Sequence, residues 1–355
     1  MILHVLSDSP YTYRFIDFVN KMFTPADHKF VVLISKNSRF ANYYGSIENC
    51  QIAHSRFDYF KAAAKFYKAE KIIFHQLNQP RLLLILSILY PLSLRKSTWS
   101  IWGGDAYFHL YKEDTLKDKL IERIFAHSIR RFPTIAAYIP GDYAVVKKRY
   151  GINAKYIQAK YPSPIDVDYL REIKKLKKNQ PTKTILVGNS GDPSNAHIAT
   201  FELLYKYKDN DIKVVSVLSY GGSKDYVGKV IENGAKIFGD KFTPITEYMA
   251  LKDYLWFASD VDICVFNHKL SQGLGNLYLF FSLGGKVFIS NQTSPYKYYK
   301  SIGVELFATE DIQYMSFEAF CRFSDESRKN NMALILKEID YTQLRLEWES
   351  VFFTA

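Results

Sequence analysis

The segment ILVGNSGDPSNAHI, Ile185 to Ile198, carries the densest chemistry in the chain. An apolar run ends at Gly188, a polar loop follows, and Pro193, Ser194 and Asn195 open a helical pattern. Gly188 and Gly191 permit close backbone approach and a positive φ, and free amides at a helix start attract an anion. The block is neither a Walker A loop, having no GK[ST], nor a dinucleotide GxGxxG. Taken bare, it fits a phosphate cradle and a plain strand-to-helix turn equally. A second segment, QGLGN at Gln272–Asn276, follows VDICVFNHKLS, and its glycines at 273 and 275 precede an apolar helix. Two amide nests at strand ends in one half of the chain favour a diphosphate ligand. Between them, Glu247 reads as a helix-start charge or as a ribose or base contact. Tyr220, before Gly221 and Gly222, either stacks on a base or covers the edge of a core.

The first half offers three polar spots where strands end. They are Ser7-Asp8-Ser9, His75-Gln76-Leu77-Asn78 and Trp102-Gly103-Gly104-Asp105. Singly, each is a cap or a turn. Together they would set Asp8, His75 and Asp105 along one sheet edge, where a carboxylate or imidazole can deprotonate an acceptor hydroxyl. His4 falls inside a strand pattern and reads as structural, and the histidines do not cluster at metal spacing. No GxSxG or HExxH occurs, which argues against a serine hydrolase or a zincin.

Two alternating α/β series must position these residues. In the first half, apolar runs at Ile2–Ser7, Lys29–Ile34, Lys71–His75, Ser97–Gly103 and Thr134–Ile139 read as strands. They alternate with helical patterns at Tyr13–Phe23, at the Leu-rich stretch, before Arg130 and at Gly141–Tyr150. The pattern changes at YPSPID (Tyr161–Asp166) and at the basic stretch Arg171–Pro181, a solvated helix or linker. A second series then runs through strands at Thr184–Asn189, Ile212–Leu218, Ala235–Gly239, Val261–Phe266 and Lys286–Ser290. Its helices fall at Asn195–Tyr207, Thr246–Ala258 and Leu277–Leu283. Strands alternating with helices imply parallel sheets covered on both faces. The expected architecture is α/β, with two doubly wound Rossmann-like domains facing a cleft. Residues 1–160 form one, 161–182 the linker and 183–355 the other, and the last helix is free to pack back on the first.

Composition agrees. The chain has 355 residues, and 47 Lys+Arg against 36 Asp+Glu give +11. Its 48% hydrophobic fraction excludes disorder and suffices for two cores. The 27 Tyr and 26 Phe beside the positive charge suit nucleic acid, a membrane surface or a sugar phosphate. RNP, helix-turn-helix and zinc signatures are missing and the basic runs are split between the halves, which disfavours nucleic acid. Cys50, Cys264 and Cys321 are scattered and odd in number, so a reducing compartment is expected. The N-terminus has no signal-peptide pattern. Leu82–Leu94 is apolar with basic flanks but too short to span a bilayer, so it reads as a buried helix or a shallow membrane contact.

The words ILHVLSDSP, FHQLNQP, IWGGDAY, ILVGNSGDPSNAHI and QGLGNL, in this order, resemble the bacterial family 56 glycosyltransferases. These are the 4-alpha-L-fucosyltransferases, which include the 4-acetamido-4,6-dideoxygalactose transferase of enterobacterial common antigen assembly. The resemblance runs through nearly the whole chain and is most specific in the GNSGD-x-SN-x-HI block. It implies a GT-B fold, a dTDP-activated donor sugar and a polyprenyl-diphosphate-linked saccharide acceptor at the cytoplasmic membrane face. It implies no bound metal and no other cofactor. Amides then stabilise the leaving diphosphate. Carried over by position, Gly188, Asn189, Ser190, Asp192, Asn195 and His197 line the donor site, and Gln272, Gly273, Gly275 and Asn276 meet the diphosphate or sugar. Asp105 and His75 lead as acceptor-activating groups, with Asp8 third. GGD in place of GAD, and a looser match beyond QGLGN, point to another donor sugar or glycan. A transferase using UDP or GDP sugars is the alternative. An epimerase-type enzyme is disfavoured by the missing dinucleotide fingerprint.

Overall fold

The computed structural model describes residues 1–34, 38, 40–54, 58, 65–77, 80–89, 91–107, 115–163, 165, 169–170, 172–173 and 181–354. Asn78 and the basic run 174–180 lie outside them. The chain divides into two units, Met1–Pro164 with Ile339–Ala355, and Ile165–Glu338.

Unit 1 is built on a seven-stranded parallel sheet in the order β3-β2-β1-β4-β5-β6-β7. The strands are β1 (Ile2–Ser7), β2 (His28–Leu33), β3 (Cys50–Ala53), β4 (Lys71–His75), β5 (Ser97–Ile101), β6 (Thr134–Ala137) and β7 (Lys155–Gln158). Its helices are α1 (Pro10–Met22), α2 (Ala41–Gly45), α3 (Pro80–Leu89), α4 (Pro91–Leu94), α5 (Leu116–Ile129) and α6 (Pro140–Tyr150). The central strands are buried throughout, as continuous apolar runs in a sheet covered on both faces should be. Local chemistry sets the helix ends. Ser9 caps α1 by accepting from the Thr12 amide, with Pro10 at the first position. Gly151 at φ +61° ends α6.

The last helix of the chain, α14 (Tyr341–Phe353), belongs to unit 1. Its Trp348, Val351 and Phe352 join Phe15, Phe18 and Phe30 in the core, and Trp348 is wholly buried. Lys160 and Glu347 form a buried ion pair at 2.7 Å. Glu347 also accepts from the Lys160 amide, and Trp348 Nε1 donates to the Lys160 carbonyl at 2.7 Å. A charge pair so enclosed needs these extra bonds to offset its desolvation.

Unit 2 has six parallel strands in the order β10-β9-β8-β11-β12-β13. They are β8 (Lys183–Val187), β9 (Ile212–Val217), β10 (Phe242–Ile245), β11 (Ile263–Phe266), β12 (Lys286–Ile289) and β13 (Phe307–Ala308). Helices α7 (His197–Leu204), α8 (Lys224–Phe238), α9 (Leu251–Ser259), α10 (Leu274–Ser282) and α11 (Ser294–Ser301) intervene, and α12 (Phe317–Cys321) and α13 (Asp325–Glu338) follow. Two sequence expectations fail here. Ala235–Gly239 is the end of α8, because Val230, Gly234 and Phe238 recur at helical spacing on its buried side. The strand is Phe242–Ile245, beyond the Gly239 turn. The helix expected from Thr246 starts only at Leu251, which leaves Glu247 in an open loop after β10. Among the described residues no helix is long and apolar enough to cross a membrane.

Candidate functional site

Both sheets reverse direction of winding at one point, between β1 and β4 in unit 1 and between β8 and β11 in unit 2. Loops at the carboxyl ends of such a pair diverge and leave a crevice where ligands bind. In unit 2 the two glycine-bearing segments meet at that point. Gly188 follows β8 with φ +72°, and a Cβ there would fall 2.4 Å from His197 Nε2. Only glycine lets the first turn of α7 come that close. Gly273, the uncapped N-cap of α10, has φ +66°, and its missing Cβ would lie 3.1 Å from the Asn189 side chain. Ser194 Oγ and the Gln272 side-chain oxygen, 2.9 Å apart, join the loops directly.

Within the GNSGD loop the side chains divide into two sets. Asn195 and Asp192 shape the turn. Asn195 is fully buried, accepts from the Asn189 amide at 3.0 Å and donates to Ser190 Oγ at 3.1 Å. Asp192 accepts from the Ser194 amide at 2.9 Å. A second set is buried but incompletely bonded. Asn189 Oδ1, His197 Nε2, Ser271 Oγ, Gln272 Nε2 and both ring nitrogens of His268 have no well-formed hydrogen bond among the described residues. Buried polar atoms are rarely left so, because each unmade bond costs roughly 1–3 kcal/mol. Five residues of this kind at one switch point make it the candidate place for a polar ligand. Burial holds both His197 and His268 neutral, with pKa values lowered to about 4.

Other expected residues lie around this centre. Tyr220 is half exposed and donates to the Asn189 carbonyl at 2.9 Å, so it braces the loop from the β9 side. Asn276 accepts from Tyr254 OH at 2.6 Å, and Gly275 sits beside it in the first turn of α10. Glu247 is exposed beyond the edge strand β10, two strands away from the crevice. Sequence reasoning passed over His268 and Ser271, which belong to no motif. It also passed over Glu310, which accepts from Ser290 Oγ at 2.6 Å and from the Asn291 amide at 3.2 Å at the same sheet edge. Burial raises the Glu310 pKa, but these bonds and that from Thr309 outweigh it and bring the carboxyl below its usual value. The acid pairs Asp209–Asp211 and Asp260–Asp262 are spaced to bridge a cation and a diphosphate. They precede β9 and β11, at the opposite edge of the sheet.

In unit 1 the expected trio separates. Asp105 is buried and saturated by its own fold. It accepts from Trp99 Nε1 at 2.7 Å, the Trp102 amide at 2.9 Å and the Leu77 amide at 3.1 Å. Burial raises its pKa and these donors oppose the rise. It therefore ties the β4 and β5 loops together and has no free edge for a substrate proton. His75 is a link in a buried chain. His28 Nδ1 lies 2.9 Å from His4 Nε2, His4 Nδ1 lies 3.0 Å from His75 Nε2, and His75 Nδ1 bonds Tyr161 OH, which in turn lies 2.9 Å from Ser100 Oγ. Burial lowers the His75 pKa to about 3, and both nitrogens are engaged, so it is no base at neutral pH. The structural reading of His4 holds. Asp8 alone of the three stays partly exposed, with one hydrogen bond from Tyr44 OH at 3.1 Å.

Two doubly wound parallel-sheet units of this kind fit the GT-B fold, and solved structures share it. A glycosyltransferase from Rickettsia africae superposes with a TM-score of 0.68 at 12% identity, covering 99% of this chain and 97% of that one. Anabaena HepE, solved in complex with UDP and glucose, gives 0.70 at 12% identity, with 99% of both chains covered. A UDP-forming alpha,alpha-trehalose-phosphate synthase from Burkholderia vietnamiensis gives 0.61 at 9%, again with 99% of each. Residues 1–330 match the family model of the 4-alpha-L-fucosyltransferase glycosyl transferase group 56, and the chain belongs to that family. It is an enzyme that transfers sugars.

Proposed function

We propose that this transferase moves a 4-acetamido-4,6-dideoxyhexose-like sugar from a dTDP-activated donor to a polyprenyl-diphosphate-linked saccharide, in surface polysaccharide assembly at the cytoplasmic membrane face. The carrying observation is the convergence of the two glycine-bearing loops on a cluster of under-bonded polar atoms at the unit 2 switch point. The first-turn amides of α7 and α10, with His197, Asn189 and Gln272, would meet the diphosphate as it leaves. Fixed donors of this kind stabilise developing charge without reorganising. Backbone and side-chain donors then do this without a resident cation. In unit 1, Asp8 would take the proton of the acceptor hydroxyl as its oxygen attacks the anomeric carbon, while the nucleoside diphosphate departs with the bonding pair.

HepE, solved with UDP and glucose, favours a second reading in which the donor carries UDP. One experiment separates the two. A panel of dTDP, UDP and GDP sugars is incubated with a synthetic prenyl-diphosphate saccharide, with and without EDTA, and products are read by mass spectrometry. Transfer only from dTDP donors, undiminished by EDTA, is expected. Transfer from UDP donors alone would replace the dTDP reading, and loss of activity in EDTA would remove the metal-independent one.

A further inference from the structure

The exposed aliphatic side chains of this protein are unevenly distributed. Seven leucines and isoleucines are exposed among the described residues, and five of them sit on three successive helices of unit 1. They are Leu84 and Ile88 on α3, Leu92 on α4, and Leu116 and Leu120 on α5, with exposures from 37% to 86%. Helices α3 and α5 pack side by side, with Ser87 Oγ and Ser128 Oγ 2.9 Å apart. Leu83 and Leu86 of α3, and Phe125 and Ile129 of α5, face the core. The exposed residues follow at the opposite helical phase, so they share the outer face of the pair.

Among the described residues, charge on this face has one sign. Leu116 and Leu120 continue along α5 into exposed Arg123 and His127 at the same phase, and Lys117 and Arg95 are also exposed. The two acids of α5 are both engaged, Asp118 with the Thr115 cap and Glu122 with Arg149 at 2.7 Å. Between residues 71 and 115 the acids are Asp105, which is buried, and Glu113 and Asp114, which lie outside the described residues. A patch of aliphatic chains rimmed by cations is unusual on a surface meant for water alone. A second copy docking symmetrically would set these cations against each other. An anionic bilayer surface complements both properties, since aliphatic chains enter the headgroup boundary and each nearby cation adds attraction.

We infer that the outer face of α3, α4 and α5 docks this protein onto anionic lipid. The inference deepens the reading of a lipid-linked acceptor and gives the membrane contact an address. Flotation with phosphatidylcholine vesicles, alone or mixed with phosphatidylglycerol, tests it without catalysis. Wild type should float with the mixed vesicles and be released by high salt. The pairs Ile88→Glu with Leu92→Glu, and Lys117→Glu with Arg123→Glu, should each weaken binding by about tenfold or more. Leu251→Glu with Leu346→Glu, the exposed leucines elsewhere, should leave it unchanged. Failure of wild type to bind mixed vesicles, or equal binding by all variants, overturns the inference. So does a wild-type dimer in light scattering that the first pair abolishes while vesicle binding is missing. Transfer to a water-soluble acceptor, measured in parallel, reports on the proposed reaction by itself.

Discussion

The two units share a winding order about their switch points and use polar residues in opposite ways. In unit 1 the polar groups near the β1–β4 crevice are nearly all consumed by the fold. His4, His28, His75 and Tyr161 bond one another, and Asp105 is saturated by three donors. Among the described residues of unit 1, Arg14 Nε, Thr98 Oγ1, Trp102 Nε1 and Thr134 Oγ1 are buried without a well-formed bond. In unit 2 the comparable position keeps Asn189, His197, His268, Ser271 and Gln272 under-bonded. The first arrangement gains rigidity from its polar groups. On the reading proposed above, the second forgoes stability to hold groups ready for a ligand.

The sharpest way to break this contrast is to empty one partner from the satisfied side. Glu347→Ala leaves Lys160 buried without its counter-charge and should cost about 3–5 kcal/mol in urea unfolding, with donor affinity unchanged. Next comes the acid trio. Asp8→Asn should lower kcat by about a hundredfold or more with little change in dTDP affinity. Asp105→Asn should instead cost stability, about 1–3 kcal/mol, as its donors lose a charged acceptor. If Asp105→Asn abolished turnover in a fully stable protein, the assignment of roles would reverse.

On the under-bonded side, His268→Met removes a buried ring whose contacts with the Leu270 and His268 backbone are poorly formed. Stability should stay level or rise, while nucleotide binding by calorimetry weakens about tenfold, the worth of one hydrogen bond to a charged ligand. The last effect is in pH. Burial lowers the folded pKa of His28 and His268 to about 4 and of His75 to about 3, from an ordinary value near 6.5. Their contribution is therefore complete above pH 6.5 and is lost as pH falls toward the folded values, since only the unfolded chain takes up the protons. Each histidine adds a slope of about 1.4 kcal/mol per pH unit. His268→Met should flatten the urea midpoint–pH curve by one such share.

The α/β alternation was readable because buried parallel strands are unbroken apolar runs, as in KIIFH at β4 and ICVF at β11. The misses have physical causes. CQIA at β3 and FA at β13 are too short to show a pattern, and α8 ends in a sequence that alone resembles a strand. The glycine-bearing loops could be found because close approach demands glycine itself, as at Gly188. The roles of Asp105 and His75 could not. Their partners include Leu77, 28 residues from Asp105, and His4, 71 residues from His75, and only the fold brings those together. Residue type located the acids and imidazoles, and their neighbours decided which were available.

The return of α14 to unit 1 bears on how the chain is made. Most of unit 1 is synthesised before unit 2, yet its core lacks Trp348 and its buried lysine lacks Glu347 until residues 339–355 have been added. Unit 2, contiguous from Ile165 to Glu338, can close earlier. A chain interrupted before residue 339 would therefore carry an open apolar face for chaperones and proteases to recognise.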